Sequence, residues 1–562
     1  MSENTREKYT IGIDFGTGSA RAVIINVKTG ELKASAMYVY PHDTMTEQLP
    51  DGTKLGKDYA LQHPMDYLEA LEHAVPEAME LSGLRQEDII GVAASFTSST
   101  YLPIKKDLTP LCTLPEFASN PHAYVKLWKH HSPGKEADQI NEVIKRRDEK
   151  WVRYYGNRIT SEYPISKVLE TLHCAPEVYR AADYYIEAGD WITAILCGKL
   201  QKSICAAGYK GFCNWKTGYP DREFYEELHP ELANYVSEKL NYPMIGLGEE
   251  AGKVCGDAAR RFGLPEGCAV APFVIDSFAG VAGAGIDRTN IMLSVLGTSG
   301  CHLILSKEEH LVPGIFGMSY GGIYPGFFSY EAGQSALGDL FEWQVKNCMP
   351  EDYAQEAEKE SKDSQQYLSE KAAELKPGET GIVALDWWNG NRSILLNSSL
   401  TGLMVGMTLQ TKAEHIYRAL LEATAFSTRK IVENYREHGV NIDAIYATGG
   451  ISQKNMLLMQ IYADVLNLPL RICGGMYGCA RGSAAYAAVA AGKETGGYDD
   501  ILEAARHIGL KSERRFFPNP ENVEVYNKLY EEYSELHDHF GRGRDDVMQR
   551  LLAYRSEAVQ KG

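Results

Sequence analysis

Two stretches far apart in the chain have the same shape, and that repetition constrains the fold more than any other feature. Residues 10–27, TIGIDFGTGSARAVIINV, alternate apolar residues up to Asp14, turn through Gly16, Thr17, Gly18 and Ser19, and resume an apolar run at Ala22. Residues 290–306, NIMLSVLGTSGCHLILS, repeat the pattern, with Gly297-Thr298 in register with Gly16-Thr17. Glycine allows positive φ in a tight turn and lets a ligand approach backbone N–H groups. One strand–turn–strand unit is a weak signal. Two of them, each heading roughly half of the 562 residues, point to a duplicated architecture. The expected division is a domain at 1–285 and a second at 286–562, the latter with a charged insertion at about 350–379 and a helical tail after Pro520.

The segments between the hairpins read as α/β units. Ile89–Ala94 is a short apolar strand ending in the polar run Ser95–Thr100, and Pro64–Leu81 has helical spacing. Ala269–Ile275 reads as one continuous strand ending at Asp276, followed by Gly280, Gly283 and Gly285, which permit close packing. Downstream, a long amphipathic helix is expected over 413–435, strands over 443–447 and 470–473, and helices over 454–466 and 479–491. The last of these is rich in Ala, which suits close contact with a neighbour.

Charge excludes some partners. Lys and Arg total 57 against 75 Asp and Glu, a net charge of −18, and no long basic run occurs. That balance argues against nucleic acid or an anionic membrane, though a phosphate ligand needs only a few local donors. No apolar stretch reaches the ~18 residues of a membrane span. The 11 cysteines include no C-x-x-C pair, so reduced thiols in a cytoplasmic setting are expected rather than disulfides or zinc.

Neither G-x-x-x-x-G-K-[ST] nor a strand-borne G-x-G-x-x-G is present, so a P-loop or Rossmann site is a poor reading. The remaining candidates are Gly/Thr/Ser turns at strand ends. Gly16–Ser19, with Arg21 nearby, and Gly297, Thr298 and Ser299 offer donors to phosphate. Asp14 stands where a carboxylate can hold Mg²⁺, directly or through water. Gly449-Gly450, ahead of a helix, gives bare backbone on which a flat ring can lie, and Asn455 can add a hydrogen bond. Asp276 closes a buried strand, where it can take a proton from a sugar hydroxyl or simply cap a helix. Trp128, beside polar residues, can stack on a sugar face.

Taken together the stretches resemble the FGGY family of carbohydrate kinases, within the actin/Hsp70/sugar-kinase superfamily. The most specific is GLMVGMTLQTKAEHIYRALLE at 402–422, beside DFGTGSAR, LGTSGC and ATGGISQKN. LQHPMDYLEAL (61–71), PEFASNPHAYVKLWKHH (115–131), FVIDSFAGVAGAG (273–285), YEAGQSALGD (330–339) and LDWWNGNRS (385–393) are similar to its L-ribulose-phosphorylating branch. The resemblance implies an α/β fold of two duplicated ribonuclease H-like domains around a central cleft. It implies ATP and Mg²⁺ as cofactors and phosphorylation of the terminal hydroxyl of a ketose, with no nucleic-acid or membrane partner, and it leaves a homodimer open. Asp276 would be the catalytic base, and Lys210, Glu331 and the Phe96-Thr97-Ser98 turn would bind the ketose. Asp14, Thr17, Gly18, Ser19 and Arg21 would organise Mg²⁺ and phosphate, Thr298 would reach the transferred phosphate, and Gly449, Gly450 and Asn455 would hold adenine. Ser95 departs from the branch, which commonly carries Asp at that strand end, and this leaves D-ribulose, xylulose and polyols as alternative substrates. A non-enzymatic ATP-binding protein of the superfamily is the remote alternative.

Overall fold

The computed structural model describes residues 6–560, and their contacts divide into two units. One holds the chain up to Arg288 together with Gly317–Ser329 and Gly475–Lys511; the other holds Thr289–Phe316, Tyr330–Gly474 and the chain from Ser512 onward. Each unit is built on one mixed sheet.

In the first unit, β1 (Tyr9–Phe15), β2 (Ser19–Asn26) and β3 (Leu32–Val39) form an antiparallel meander. On its other edge β1 pairs in parallel with β4 (Ile89–Phe96), which pairs in parallel with β5 (Ala269–Val270) and β6 (Val274–Ile275). In the second unit the order is β9 (Phe328–Gln334), β8 (Gly300–Ser306), β7 (Ile291–Leu296), β10 (Ala444–Thr448), β11 (Leu470–Cys473) and β12 (Ser512–Phe516). The hairpin β7–β8 is antiparallel, while β7–β10 and β10–β11 are parallel. The order β3-β2-β1-β4-β5 is thus matched by β9-β8-β7-β10-β11. That is the duplication the two hairpins imply, now seen in strand order.

Five helices position or support the candidate site residues. α1 (Pro64–Ser82) covers β2 and β3, and α2 (Pro164–Cys174) lies behind a small sheet made of Leu61–Gln62, Val125–Lys126, Tyr101–Ile104 and Tyr184–Glu187. α3 (Asp276–Gly283) starts at the end of β6, and α4 (Ala413–Glu437) crosses the second unit. α5 (Gly478–Ala491) packs on β1, β4 and α3 in the first unit, although it lies late in the chain. The reason is size. An ideal Cβ on Gly12 would lie 1.8 Å from the Ala480 carbonyl oxygen, and one on Gly482 would lie 1.8 Å from that of Ala279. Only hydrogen at these positions lets the α5 backbone touch that of β1 on one side and that of α3 on the other.

Two local expectations differ from the structure. The apolar run 269–275 is two short strands rather than one, because Pro272 has no N–H to donate to a ladder. The helix expected from residue 454 is a short one, Gly450–Lys454, then a break at Asn455 and a second helix, Met456–Leu466. In the tail, Pro520–Gly541 is helical as expected, and its buried residues are Tyr526, Tyr530, Tyr533 and His537. The three tyrosines pack against Phe426 of α4 at ring distances of 6.1, 5.9 and 5.4 Å. The charged stretch after Pro350 forms the helices Glu351–Lys359 and Ser364–Ala373.

Candidate active site

In the first unit, β1 and β4 end together, with Asp14 opposite Ser95 and Phe15 opposite Phe96. Ser95, fully buried, donates its hydroxyl to Asp14 Oδ1 at 2.8 Å. Burial raises the Asp14 carboxyl above its ordinary range, opposed by that hydrogen bond and by Arg21, which faces Asp14 from β2. A serine here therefore adds a donor where an aspartate would add a second negative charge. The turn beyond is closed by the Gly16 N–H donating to Ser19 O at 3.0 Å. Thr17 accepts the Trp128 indole N–H on Oγ1 at 3.3 Å and the Gln62 amide on its carbonyl.

Asp276 opens α3, and the Ser277 N–H donates to its Oδ1 at 2.6 Å. Lys210 ends the helix Ile204–Tyr209, is 4 % exposed, and donates from Nζ to Glu162 Oε2 at 3.0 Å. The two elements lie side by side: the Ile275 N–H donates to Cys205 Sγ at 3.4 Å, and the Tyr209 and Phe278 rings are 4.9 Å apart. A cavity of about 30 Å³ beside Lys210 is lined by Glu187, Asp190, Lys202 and several tyrosines, which is room for a water or two. The close packing of α5 brings Cys479 to the same end of the sheet. Burial raises its thiol well above the ordinary value, and Asp14 and Asp276 both push it further the same way.

In the turn expected to bind sugar, the structure limits what each side chain offers. The Phe96 ring is 1 % exposed, stacked on Phe15 at 4.8 Å and edge-on to Tyr67 at 4.9 Å, so only its backbone is left for a ligand. Thr97 is buried and shares a 2.6 Å hydroxyl contact with Thr100. Ser98 is half-buried. Trp128 is half-buried too, and its N–H goes to Thr17 in the turn Gly16–Ser19.

In the second unit the turn Gly297–Ser299 is closed like the first, by the Gly297 N–H donating to Ser299 O at 3.1 Å. Its carbonyls accept the Leu337 and Gly338 N–H groups, and Thr298 is exposed. Gly449 has φ +96°, and a Cβ there would lie 2.4 Å from Leu296 O, so the two glycine turns abut. Gly450 faces open space. Asn455 is narrowed from the expectation: its Oδ1 accepts the Leu458 N–H at 2.9 Å and the Ser369 hydroxyl at 3.1 Å. Only its Nδ2, 3.4 Å from Tyr417 OH, remains to meet a base. Glu331 is buried in β9. On α4, Glu422 of the signature segment accepts from Arg418 Nε at 2.9 Å and from Tyr526 at 3.1 Å, both within the core, so it serves packing.

A carboxylate with one oxygen free of Ser95 suits Mg²⁺, a hard cation that keeps several waters, and the bare Gly450 backbone suits a flat base. Another cluster with metal-ligand chemistry is His42, His63 and Asp66. There His42 Nδ1 is engaged by Asp66 Oδ1 at 2.7 Å and the two imidazoles are stacked at 4.8 Å, a hydrogen-bonded stack rather than rings converging on an ion.

Residues 9–283 match the model of the FGGY family of carbohydrate kinases, N-terminal domain, and residues 292–491 match its C-terminal domain. The chain belongs to the FGGY family of carbohydrate kinases. Among curated relatives of this FGGY kinase, a ribulokinase of Geobacillus thermodenitrificans is 47% identical over 553 residues, 98% of each chain. A ribulokinase of Mycolicibacterium smegmatis is 44% identical, covering 99% of this chain and 98% of the relative. Its fold is shared by a xylulose kinase from Rhodospirillum rubrum (TM-score 0.78, 22% identity, 94% of this chain and 98% of the other). A gluconate kinase from Lactobacillus acidophilus is as similar (TM-score 0.78, 19% identity, 96% and 99%).

Three residues in or beside the candidate site of this FGGY kinase were not legible as such in the sequence. Ser95 stands out only as a departure, and its bond to Asp14 appears once β1 and β4 are paired. Cys479 carries no motif and reaches the site through the glycine contacts of α5. Lys167 did carry a signal: with Pro164 it fits the family's N-terminal signature, although Leu169 stands where that signature has Trp, but what its side chain holds was not legible.

Proposed function

We propose that this kinase phosphorylates the terminal hydroxyl of L-ribulose with ATP, giving L-ribulose 5-phosphate, the chemistry that feeds L-arabinose catabolism. The observation that carries the reading is 44–47% identity to ribulokinases over 98–99% of the chain. The geometry supports a role for each group. Lys210 and the backbone and Ser98 of the sugar turn bind the ketose, with Glu331 as a further ligand. Asp276, at the head of α3 beside the Lys210 helix, accepts the proton of the terminal hydroxyl as that oxygen attacks the γ-phosphorus. The P–O bond to ADP breaks, ADP leaves with the electron pair, and the proton passes from Asp276 to water. The N–H groups of Thr17 and Gly18 and of Thr298 and Ser299, left over once Gly16 and Gly297 close their turns, bear the charge of the transferring group with the Thr298 hydroxyl and Arg21. Asp14 would hold Mg²⁺, which when bound neutralises phosphate charge. Gly449, Gly450 and the Asn455 amide would seat the adenine.

The test is ADP release measured with Mg·ATP against L-ribulose, D-ribulose, L-xylulose, D-xylulose and glycerol. The highest kcat/KM is expected on L-ribulose. A clear preference for another sugar would move the function to a sister kinase, the reading that Ser95 favours. No turnover on any would discard the kinase assignment.

A further inference from the structure

α2 carries two buried ionisable side chains one turn apart, Lys167 and Glu170, that the proposed reaction does not use. Lys167 is 1 % exposed, and its Nζ donates to two backbone carbonyls, those of Ser99 and Leu127. Ser99 lies in the turn assigned to the sugar and holds φ +54°, a left-handed conformation uncommon for a residue with a Cβ. Leu127 precedes Trp128, whose N–H reaches Thr17 in the phosphate turn at 3.3 Å. Glu170 grips the same segment on both sides of Trp128, accepting from Lys126 Nζ at 2.6 Å and meeting His130 Nε2 at 3.0 Å. One turn of helix thus clamps residues 126–130 at both ends and in the middle. An apolar side chain would fill the Lys167 space without the cost of burying an ammonium, so the group stands there for what it holds.

We propose that Lys167 is a positioning residue that locks the sugar-binding turn 96–100 to the phosphate-binding turn 16–19 through Leu127-Trp128. The proposal deepens the kinase reading and rests on it. Lys167 touches neither substrate; it fixes the spacing between the turns that do, and small misplacements of reacting groups are costly in rate. Burial pulls the ammonium down to about 7; Glu187 and Glu162 oppose that, and Lys210 and Lys126 reinforce it. The neutral amine still has N–H groups for both carbonyls, so the lock does not depend on the charge.

The experiment uses full-length protein with ¹⁵N-labelled tryptophan indoles. Trp128→Phe assigns the Trp128 indole N–H signal and Thr17→Val tests its acceptor. In Lys167→Met the signal is expected to move, kcat on the preferred sugar to fall about 10- to 100-fold, and ATP hydrolysed per sugar phosphate to rise above one. Because both residues act through one segment, Lys167→Met combined with Trp128→Phe should lose little more than Lys167→Met alone. An unmoved indole signal in Lys167→Met, or losses that multiply in the double variant, overturns the proposal. If Lys167→Met does not fold, Lys167→Ala, which also removes the donor, is read by the same criteria. Absence of sugar phosphorylation by the wild-type protein would discard the kinase reading, and the indole signal still decides the lock.

Discussion

A carboxylate at the first position of a helix has its own N–H neighbours to satisfy, and Asp276 uses one oxygen on Ser277 while α3 holds it at the strand end. Asp276→Asn keeps that shape and removes the base. We expect kcat to drop roughly 10²-fold or more, the general-base range, with KM for sugar and ATP little changed. Steady-state kinetics with both substrates varied decide it, and near-wild-type turnover would remove Asp276 from the proton transfer. Ser95 is the second residue with a sharp consequence. Ser95→Ala takes the donor from Asp14 Oδ1, and a hydrogen bond to a charged group is worth about 1.5–3 kcal/mol. KM for Mg·ATP should rise about tenfold or more while KM for sugar stays within about twofold. The motif strings exposed Asp14 and Asp276 as strand-end carboxylates. They did not expose the bond from Ser95 or the burial of the Phe96 ring, because both depend on how β1 and β4 align.

At the scale of elements, the contact of α5 with α3 and β1 is the most demanding feature of the first unit. Gly482→Ala would drive a methyl into the Ala279 carbonyl, 1.8 Å from the Cβ position, and overpacking of this kind costs typically about 1–3 kcal/mol or more. A lowered Tm and reduced kcat are expected together, since the same contact sets the end of the sheet where Asp14 and Asp276 sit. A variant with wild-type Tm would show that the helix can withdraw freely. In the second unit, Asp386 donates nothing in its ionised form, yet it is buried beside Gln334 Nε2 at 3.2 Å. Burial pushes its carboxyl up to about 7, against hydrogen bonds from Ser427 and Gln334. A pKa raised on folding means that the folded state binds more protons than the unfolded one between about 4 and 7. Stability therefore falls as pH rises through that window. Asp386→Asn should gain on wild type by roughly 2–3 kcal/mol between about pH 5 and pH 7, read from urea denaturation at each pH. An unchanged difference across the window would mean Asp386 is ionised in the fold.

For the whole molecule, ligands that bind only the folded chain must stabilise it by mass action, about 2.7 kcal/mol at 100 times Kd. L-ribulose and a non-hydrolysable Mg·ATP analogue should each raise Tm, and Asp276→Asn should keep both shifts while losing turnover. Loss of the sugar shift in that variant would turn Asp276 from base into binding residue. The sequence by itself determined the duplicated α/β plan, because a strand–glycine turn–strand unit is a local pattern and both copies are contiguous. It also determined most element positions, since helical and strand periodicity are carried by near neighbours. Only the tertiary structure decided that α5, late in the chain, belongs to the first unit's sheet. Only it decided that Glu422 and the Asn455 Oδ1 are spent on packing and capping, and that one buried lysine holds the carbonyls of Ser99 and Leu127. Those outcomes rest on contacts between residues up to several hundred positions apart, and such contacts leave no period or spacing in the chain.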